Sequence, residues 1–329
     1  MKLQILTPHW QESCNEMLPL LDSLKLQQGI SFADFGVIIV YDGDEATDLP
    51  ELGWQSKYPY DIQFRRIDHG GVSAARNAAL DAATADYVMF CDADDCFCLL
   101  CGMRIILDEI EKGFDVMTSL FVEEIHKPDD GKVVFVQHKV DFTFVHGKVF
   151  RREYLVENNI RFNPKLTVHE DSYFNILAQD LAPDKDQVKY CDTGFYLWRW
   201  RENSICRHDK DYMLKTYPQM LDSNDALVDE FEERGHADKA QFYVGHMILE
   251  TYYALNKKEW LDPKNECYRQ AVYRRMRDYL AKHKDKWDTL DESERMTLSN
   301  GLRTRNIREG MPIETISFAQ WMTEVQEAE

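Results

Sequence analysis

The 329-residue chain has no apolar run approaching the roughly 20 residues that a membrane-spanning helix needs, and its start, Met1 to Pro8, turns polar too soon for a secretory signal. A cytoplasmic protein with no transmembrane segment is expected. Cationic charge is scarce as well: 39 Lys and Arg face 58 Asp and Glu, for a formal net charge of -19. That balance repels polyphosphate at long range and disfavours generic nucleic-acid binding, and it means that an acidic substrate needs a divalent cation as intermediary. The eight cysteines have neither the density nor the regular framework of a small secreted disulfide protein, and they read as reduced thiols. No internal repeat or low-complexity tract is visible.

What is present suits a folded enzyme. Hydrophobic residues make up 44% of the chain and charged residues 29%, enough to build a core over a length that exceeds one ordinary domain. Residues 3 to 7 and 36 to 41 are short apolar runs that end at Pro8 and at Asp42-Gly43-Asp44, as buried parallel strands do. Between them, Asn15 to Gln28 reads as a helix with Met17, Leu20, Leu21, Leu24 and Gln28 on one side and Gly29 as terminator. A second helix is predicted over Gly71 to Leu80, and Tyr87 to Cys91 reads as another buried strand, opening into Asp92-Ala93-Asp94-Asp95. Alternating strands and helices predict a doubly wound α/β sheet, whose ligands bind beyond the carboxyl ends of the strands. Val116 to Val122, Val133 to Val136 and Phe142 to Val145 read as further, hairpin-like strands. From about residue 209 the pattern becomes long helices, so the expected organisation is a catalytic domain over 1–208 and a helical module over 209–329.

Three carboxylates at one strand-to-loop junction repel one another unless a cation neutralises them. Hard oxygen ligands of this kind suit Mg²⁺ or Mn²⁺ bridging two phosphates, and the alternative is a solvated acidic turn. Farther on, Glu170-Asp171 precedes an apolar helix face at Tyr173, Phe174 and Leu177. Acids there favour the start of a helix, and a carboxylate held at a helix start is also rigid enough to act as a base.

Several stretches, in order, resemble the family 2 glycosyltransferases with the GT-A fold: the strand into Thr7-Pro8, the strand into Tyr41-Asp42-Gly43-Asp44, Gly71-Val72-Ser73-Ala74-Ala75-Arg76-Asn77-Ala78, and Phe90-Cys91-Asp92-Ala93-Asp94-Asp95. His146 to Arg152, Ile160-Arg161-Phe162 and His169 to Phe174 resemble that family's acceptor-side half. The resemblance implies a GT-A domain, a Rossmann-like and mostly parallel sheet, that transfers a sugar with inversion from a nucleotide diphosphate sugar, usually a UDP-sugar, to an acceptor hydroxyl. It places Pro8, Asp42, Arg76, Asp92 and Asp95 at the nucleotide sugar, Asp94 on the metal and Asp171 as catalytic base. For Arg76 the bland alternative is a surface ion pair. Glu170, beside Asp171, is the auxiliary acid; Tyr196 to Ile205 resembles the family's late strand and following loop, which makes Trp198, Arg199 and Arg201 candidates at the acceptor or the diphosphate and His208 a candidate further metal ligand. His146 departs from the family, which often has Trp there.

Cys96, Cys98 and Cys101 invite a zinc reading but have no fourth ligand, and they are expected to be buried core. Lys264 to Lys286 is a basic stretch with an apolar stripe at Tyr268, Val272, Met276 and Tyr279. It reads first as a solvated helix face, and second as a docking surface for an anionic polymer, nucleic acid or lipid. The C-terminal module is expected to serve acceptor choice or self-association as a homo-oligomer. The competing functions are a nucleotide-sugar binding protein without turnover, a transferase acting on modified bases in DNA, and a nucleotidyltransferase. The acceptor, saccharide or polymer, is left open.

Overall fold

A computed structural model describes residues 1–43, 51–127, 131–139, 143–202, 204, 207, 211–256, 260–308 and 316–328. The chain forms two compact units, Met1–Glu202 and Asn203–Glu329.

The first unit runs β1 (Leu3–His9), α1 (Cys14–Lys25), β2 (Phe35–Asp42), α2 (Glu51–Lys57), β3 (Asp61–Ile67), α3 (Val72–Ala82), β4 (Tyr87–Phe90), β5 (Cys96–Phe97), α4 (Gly102–Ile110), β6 (Val116–His126), β7 (Val133–His138), β8 (Lys148–Arg151), α5 (Arg152–Glu157), α6 (Glu170–Asp180) and β9 (Val188–Trp198). One sheet of order β3-β2-β1-β4-β8-β6-β9-β5 carries them, with β7 paired to β6. β1, β2, β3, β4, β6 and β9 run one way and β5, β7 and β8 the other, so the sheet is mostly parallel. The parallel half has the expected α/β character: β1 and β2 are buried along their whole length, and helices return the chain between parallel strands.

Sequence periodicity has a direct packing outcome in α1. Met17, Leu20, Leu21 and Leu24 are all fully buried, each contributing about 1.5–3 kcal/mol. The Ser13 and Glu16 capping box starts the helix. It ends at Lys25, short of the expected Gln28, which is exposed; Gln27 is buried instead, accepting from Met103 N–H and donating to the Leu99 carbonyl. β1 continues through Pro8 to His9 rather than stopping at Pro8. This is tolerated because the β1–β4 ladder ends at Leu6 and Phe90, before the missing N–H matters.

Three local expectations change. The β3 edge strand, Asp61-Ile62-Gln63-Phe64-Arg65-Arg66-Ile67, and α2 before it carried too little apolar signal to be read. Thr143 to Val145 is not strand; the strand there is β8, entered through Gly147 at φ +68°, and Phe142 lies outside the described residues. Cys96 and Cys101 are half-buried and Cys98 is exposed, its thiol against the Gly194 carbonyl, so they are not core. β5 is a two-residue edge strand paired only with β9, which leaves these thiols at the rim of the sheet.

The second unit is helical: α7 (Tyr212–Lys215), α8 (Tyr217–Glu233), α9 (Ala237–Ala254), α10 (Glu266–Lys282), α11 (Lys284–Thr289), α12 (Glu292–Arg308) and α13 (Phe318–Glu327). The basic stretch lies mainly on α10, which buries Val272, Tyr273, Met276 and Tyr279. Its cations meet acids of the same unit: Arg275 bonds Asp222 and Asp225, Lys282 bonds Asp225 and Asp229, and Lys286 pairs with Glu232. A face neutralised in this way is the packed helix of the first reading, not a free cationic surface. Among the described residues no helix is long and apolar enough to cross a membrane.

Candidate active site

The segments after β1, β4 and β9 and the start of α6 meet at one acidic centre. β4 ends at Phe90, and the chain turns through Asp92 to Asp95 with the Asp95 N–H bonded to the Asp92 carbonyl. Asp92, Asp95 and His146 then present ligand atoms all within 4.8 Å of one another. His146 sits just before β8, buried, with Nε2 3.7 Å from Asp92 and 3.9 Å from Asp95. Its ring stacks on Tyr196 at 4.8 Å and on Phe144 at 5.2 Å. Asp95 accepts from the Tyr196 hydroxyl and from the Arg199 N–H at 2.9 Å.

Crowding sets the protonation of this centre. Burial, then the charges of Asp94 and Asp92, push the Asp95 carboxyl well above its ordinary value. Asp92 is driven the other way: burial works against its charge, but the Arg76 guanidinium and His146 outweigh that and hold it below the usual carboxylate range. Burial and then Asp92 raise Asp94, against the pull of Arg201. Asp94, expected as the metal ligand, turns its carboxylate to Arg201 Nε at 3.1 Å and stands outside the group of three. Arg201 also lies 3.5 Å from Glu12, whose carboxyl burial pushes up to about 7. Arg199 donates to the Asp94 carbonyl at 3.0 Å. Excess carboxylate with one facing imidazole is a donor set that fits a hard divalent cation such as Mn²⁺ or Mg²⁺. His208 lies outside the described residues.

Arg76, on α3, joins this centre to α6. It is 3% exposed, so it is no surface ion pair. One arm of its guanidinium donates to Asp92 at 2.9 Å, and the other donates to Glu170 at 3.0 Å and to Asp171. The second oxygen of Asp171 accepts the Val145 N–H at 3.2 Å. Burial and then the Asp171 charge push the Glu170 carboxyl up to about 8, against Arg76. Arg76, expected near the nucleoside, thus bonds three carboxylates that sequence alone could not place together.

Asp42 ends β2 and caps α3: its two oxygens accept the N–H groups of Gly70 at 2.7 Å and Gly71 at 2.8 Å, and His69 Nδ1 is 3.0 Å away. A carboxylate at a helix start is favourable, and the glycine N–H groups let the backbone approach it closely. Pro8 is buried at the end of β1, and two residues on, the exposed Trp10 stacks on His69 at 5.5 Å. Trp198 ends β9 and packs its ring on Phe144 at 5.2 Å, while Trp200 stacks on His126 at 4.2 Å.

His146, Glu12 and Tyr196 were not foreseen as members of the centre. His146 had a signal, a polar aromatic just before a glycine that enters β8 at positive φ; Glu12 looked only like the approach to α1.

The profile of glycosyl transferase family 2 matches residues 4–118. The uncharacterized glycosyltransferase EpsJ of Bacillus subtilis is 27% identical over 205 residues, 56% of this chain and 57% of EpsJ. The poly(ribitol-phosphate) beta-glucosyltransferase of Bacillus spizizenii is 29% identical over 193 residues, 54% of this chain and 29% of that protein. The chain therefore spans little more than half of the first relative and under a third of the second. Among solved structures, Staphylococcus aureus TarS 1–349 in complex with UDP-GlcNAc superposes with a TM-score of 0.64 at 17% identity, covering 94% of this chain and 93% of that one. The mannosyltransferase PcManGT of Pyrobaculum calidifontis, in complex with GDP-Man and Mn2+, gives 0.51 at 13% identity, covering 98% and 84%. At these identities the likeness is one of fold.

Proposed function

The chain carries a family 2 glycosyltransferase domain of GT-A fold, and on that premise we propose that it transfers a sugar with inversion from a UDP-sugar to a hydroxyl of a teichoic-acid-like or other glycan polymer. The observation that carries this reading is the meeting of the strand-end acid Asp92 with Asp171 across a single guanidinium. Donor-side and acceptor-side carboxylates so close can serve one displacement. The polymer acceptor is proposed because relatives are named as poly(ribitol-phosphate) transferases.

In this reading Pro8 and Asp42 border the nucleoside. Asp92 and Asp95, with His146, would hold a Mn²⁺ or Mg²⁺ ion, and Asp94 would join them on leaving Arg201; when bound the ion supplies positive charge to the diphosphate. Asp171 takes the proton of the acceptor hydroxyl as the acceptor oxygen bonds the anomeric carbon and the bond from that carbon to the diphosphate oxygen breaks. The electron pair leaves with the diphosphate. The Val145 N–H and Arg76 hold the two oxygens of Asp171 and aim the carboxylate. Arg199 and Arg201 flank Asp94 and offer cationic charge to the diphosphate once it is bound, and Trp198 offers an apolar ring face to a sugar.

The test is nucleoside diphosphate release from a panel of nucleotide sugars with Mn²⁺, offering poly(ribitol phosphate) as acceptor. One donor should be used, Asp94→Ala should abolish its use, and Asp171→Asn should lower turnover about 10²–10⁴-fold. Folded wild-type protein that binds UDP but releases nothing with any donor would mark a binding protein instead.

A further inference from the structure

We propose that Arg76 is the positioning residue for the acceptor-side base: it fixes Asp171 relative to the donor-side acid Asp92 and does not itself hold the donor. The inference rests on the transferase reading above and deepens it.

The geometry is specific to a guanidinium. The two arms of Arg76 diverge, one to Asp92 just beyond β4, the other to Glu170 and Asp171 at the start of α6. The planar fork sets both directions at once, whereas an ammonium is a point charge that cannot span both sites. The segments it joins are 16 and 95 residues from Arg76 in the sequence, so no local turn sets their separation. The cation is itself braced. The ring of Phe162 lies 5.2 Å from the guanidinium. Phe162 is pinned there by the next residue of α3, because Asn77 donates to its carbonyl at 2.8 Å and accepts its N–H at 3.0 Å. The Arg76-Asn77 pair therefore does two jobs from adjacent positions. Asp171 is held at both oxygens, one on Arg76 and one on the Val145 N–H, which leaves little rotation for the carboxylate.

A buried cation shared by three acids costs desolvation, so fold stability alone is a weak reason for the arrangement. Orientation of a base is a stronger one, since a displacement of about 1 Å in a reacting group costs on the order of a hundredfold in rate.

The experiment uses the full chain with Mn²⁺, with UDP as the binding probe and, for turnover, UDP-glucose or UDP-N-acetylglucosamine, whichever releases UDP. Arg76→Lys keeps the buried charge, so the variant keeps its compensation. Its UDP affinity and donor KM should stay within about threefold of wild type while kcat falls on the order of a hundredfold. Adding Asp171→Asn to Arg76→Lys should cost less than about a further fivefold, since residues that act as a unit are not additive. The milder Asn77→Ser, which frees Phe162 from beneath the guanidinium, should lower kcat in the same direction with UDP affinity held. Wild-type kcat in both single variants overturns the proposal. So does a loss of UDP affinity in Arg76→Lys as large as the loss of kcat, which would place Arg76 on the donor, and so do losses that multiply in the double variant. A wild-type rate for Asp171→Asn alone overturns instead the assignment of the base itself.

Discussion

Glu12→Gln isolates the electrostatic cost of this centre. Burial pushes the Glu12 carboxyl from an ordinary 4.5 to about 7, with Asp94 adding to the effect of burial and Arg201 only partly offsetting it. The folded state therefore keeps a proton that the unfolded chain gives up. Below the ordinary value both states are protonated and Glu12 is neutral in its effect. Between the two values the unfolded chain ionises first and stability drains away as pH rises; above the folded value the whole penalty is present. A shift of that size, at about 1.4 kcal/mol per unit, amounts to about 3 kcal/mol. Glutamine cannot ionise, and its carbonyl oxygen can still accept the Trp10 N–H that Glu12 accepts at 2.7 Å. Urea unfolding of wild type and Glu12→Gln, in parallel from pH 4.5 to pH 8 without added cation, should give equal stabilities at the acid end. The variant should gain an advantage that grows to about 3 kcal/mol at pH 8. An advantage independent of pH, or a variant less stable than wild type at pH 8, would refute the assignment of the penalty to a buried ionised Glu12.

The same crowding predicts that Mn²⁺ or Mg²⁺ raises the melting temperature more at pH 8 than at pH 5.5, because cation and protons compete for carboxyls whose protonation burial favours; a shift independent of pH, read by scanning fluorimetry, would contradict it. Gly147→Ala should destabilise the first unit by about 2–4 kcal/mol in denaturant unfolding, since the residue is at φ +68° and its Cβ would lie 2.3 Å from Ser119 Oγ. In the helical unit, Asp225 is held below the usual carboxylate range: burial opposes its charge, but His283 and Lys282 prevail. Its stabilisation is present above the ordinary carboxylate pKa and lost as pH falls. Asp225→Asn should thus cost about 2–4 kcal/mol at pH 7, and in acid unfolding the difference should begin to narrow only below the ordinary carboxylate value, with most of it still present near pH 3.

Much of this was legible from the chain because it is local. The β1, β2 and β4 runs, the α1 stripe and the strand-end position of Asp42 and of Asp92 to Asp95 follow from periodicity and from where apolar runs stop. The ordered motifs carried the family resemblance, and the acids at the start of α6 could be seen as a helix start and a candidate base together. Where the signal was weak the reading failed for a physical reason. β3 is an edge strand with little to bury, and the Cys96 to Cys101 segment looks apolar in sequence while lying on the sheet rim, where β5 covers almost nothing. Tertiary structure alone decided who meets whom. His146 faces Asp92 and Asp95 because β8 enters beside β4, and Asp94 turns to Arg201 because the segment after β9 returns past the acidic turn. Arg76 binds Asp171 because α3 and α6 come together across 95 residues of chain. Periodicity records which face of an element is buried, but the partner of a buried charge is chosen by long-range packing, and neighbouring residues carry no trace of it.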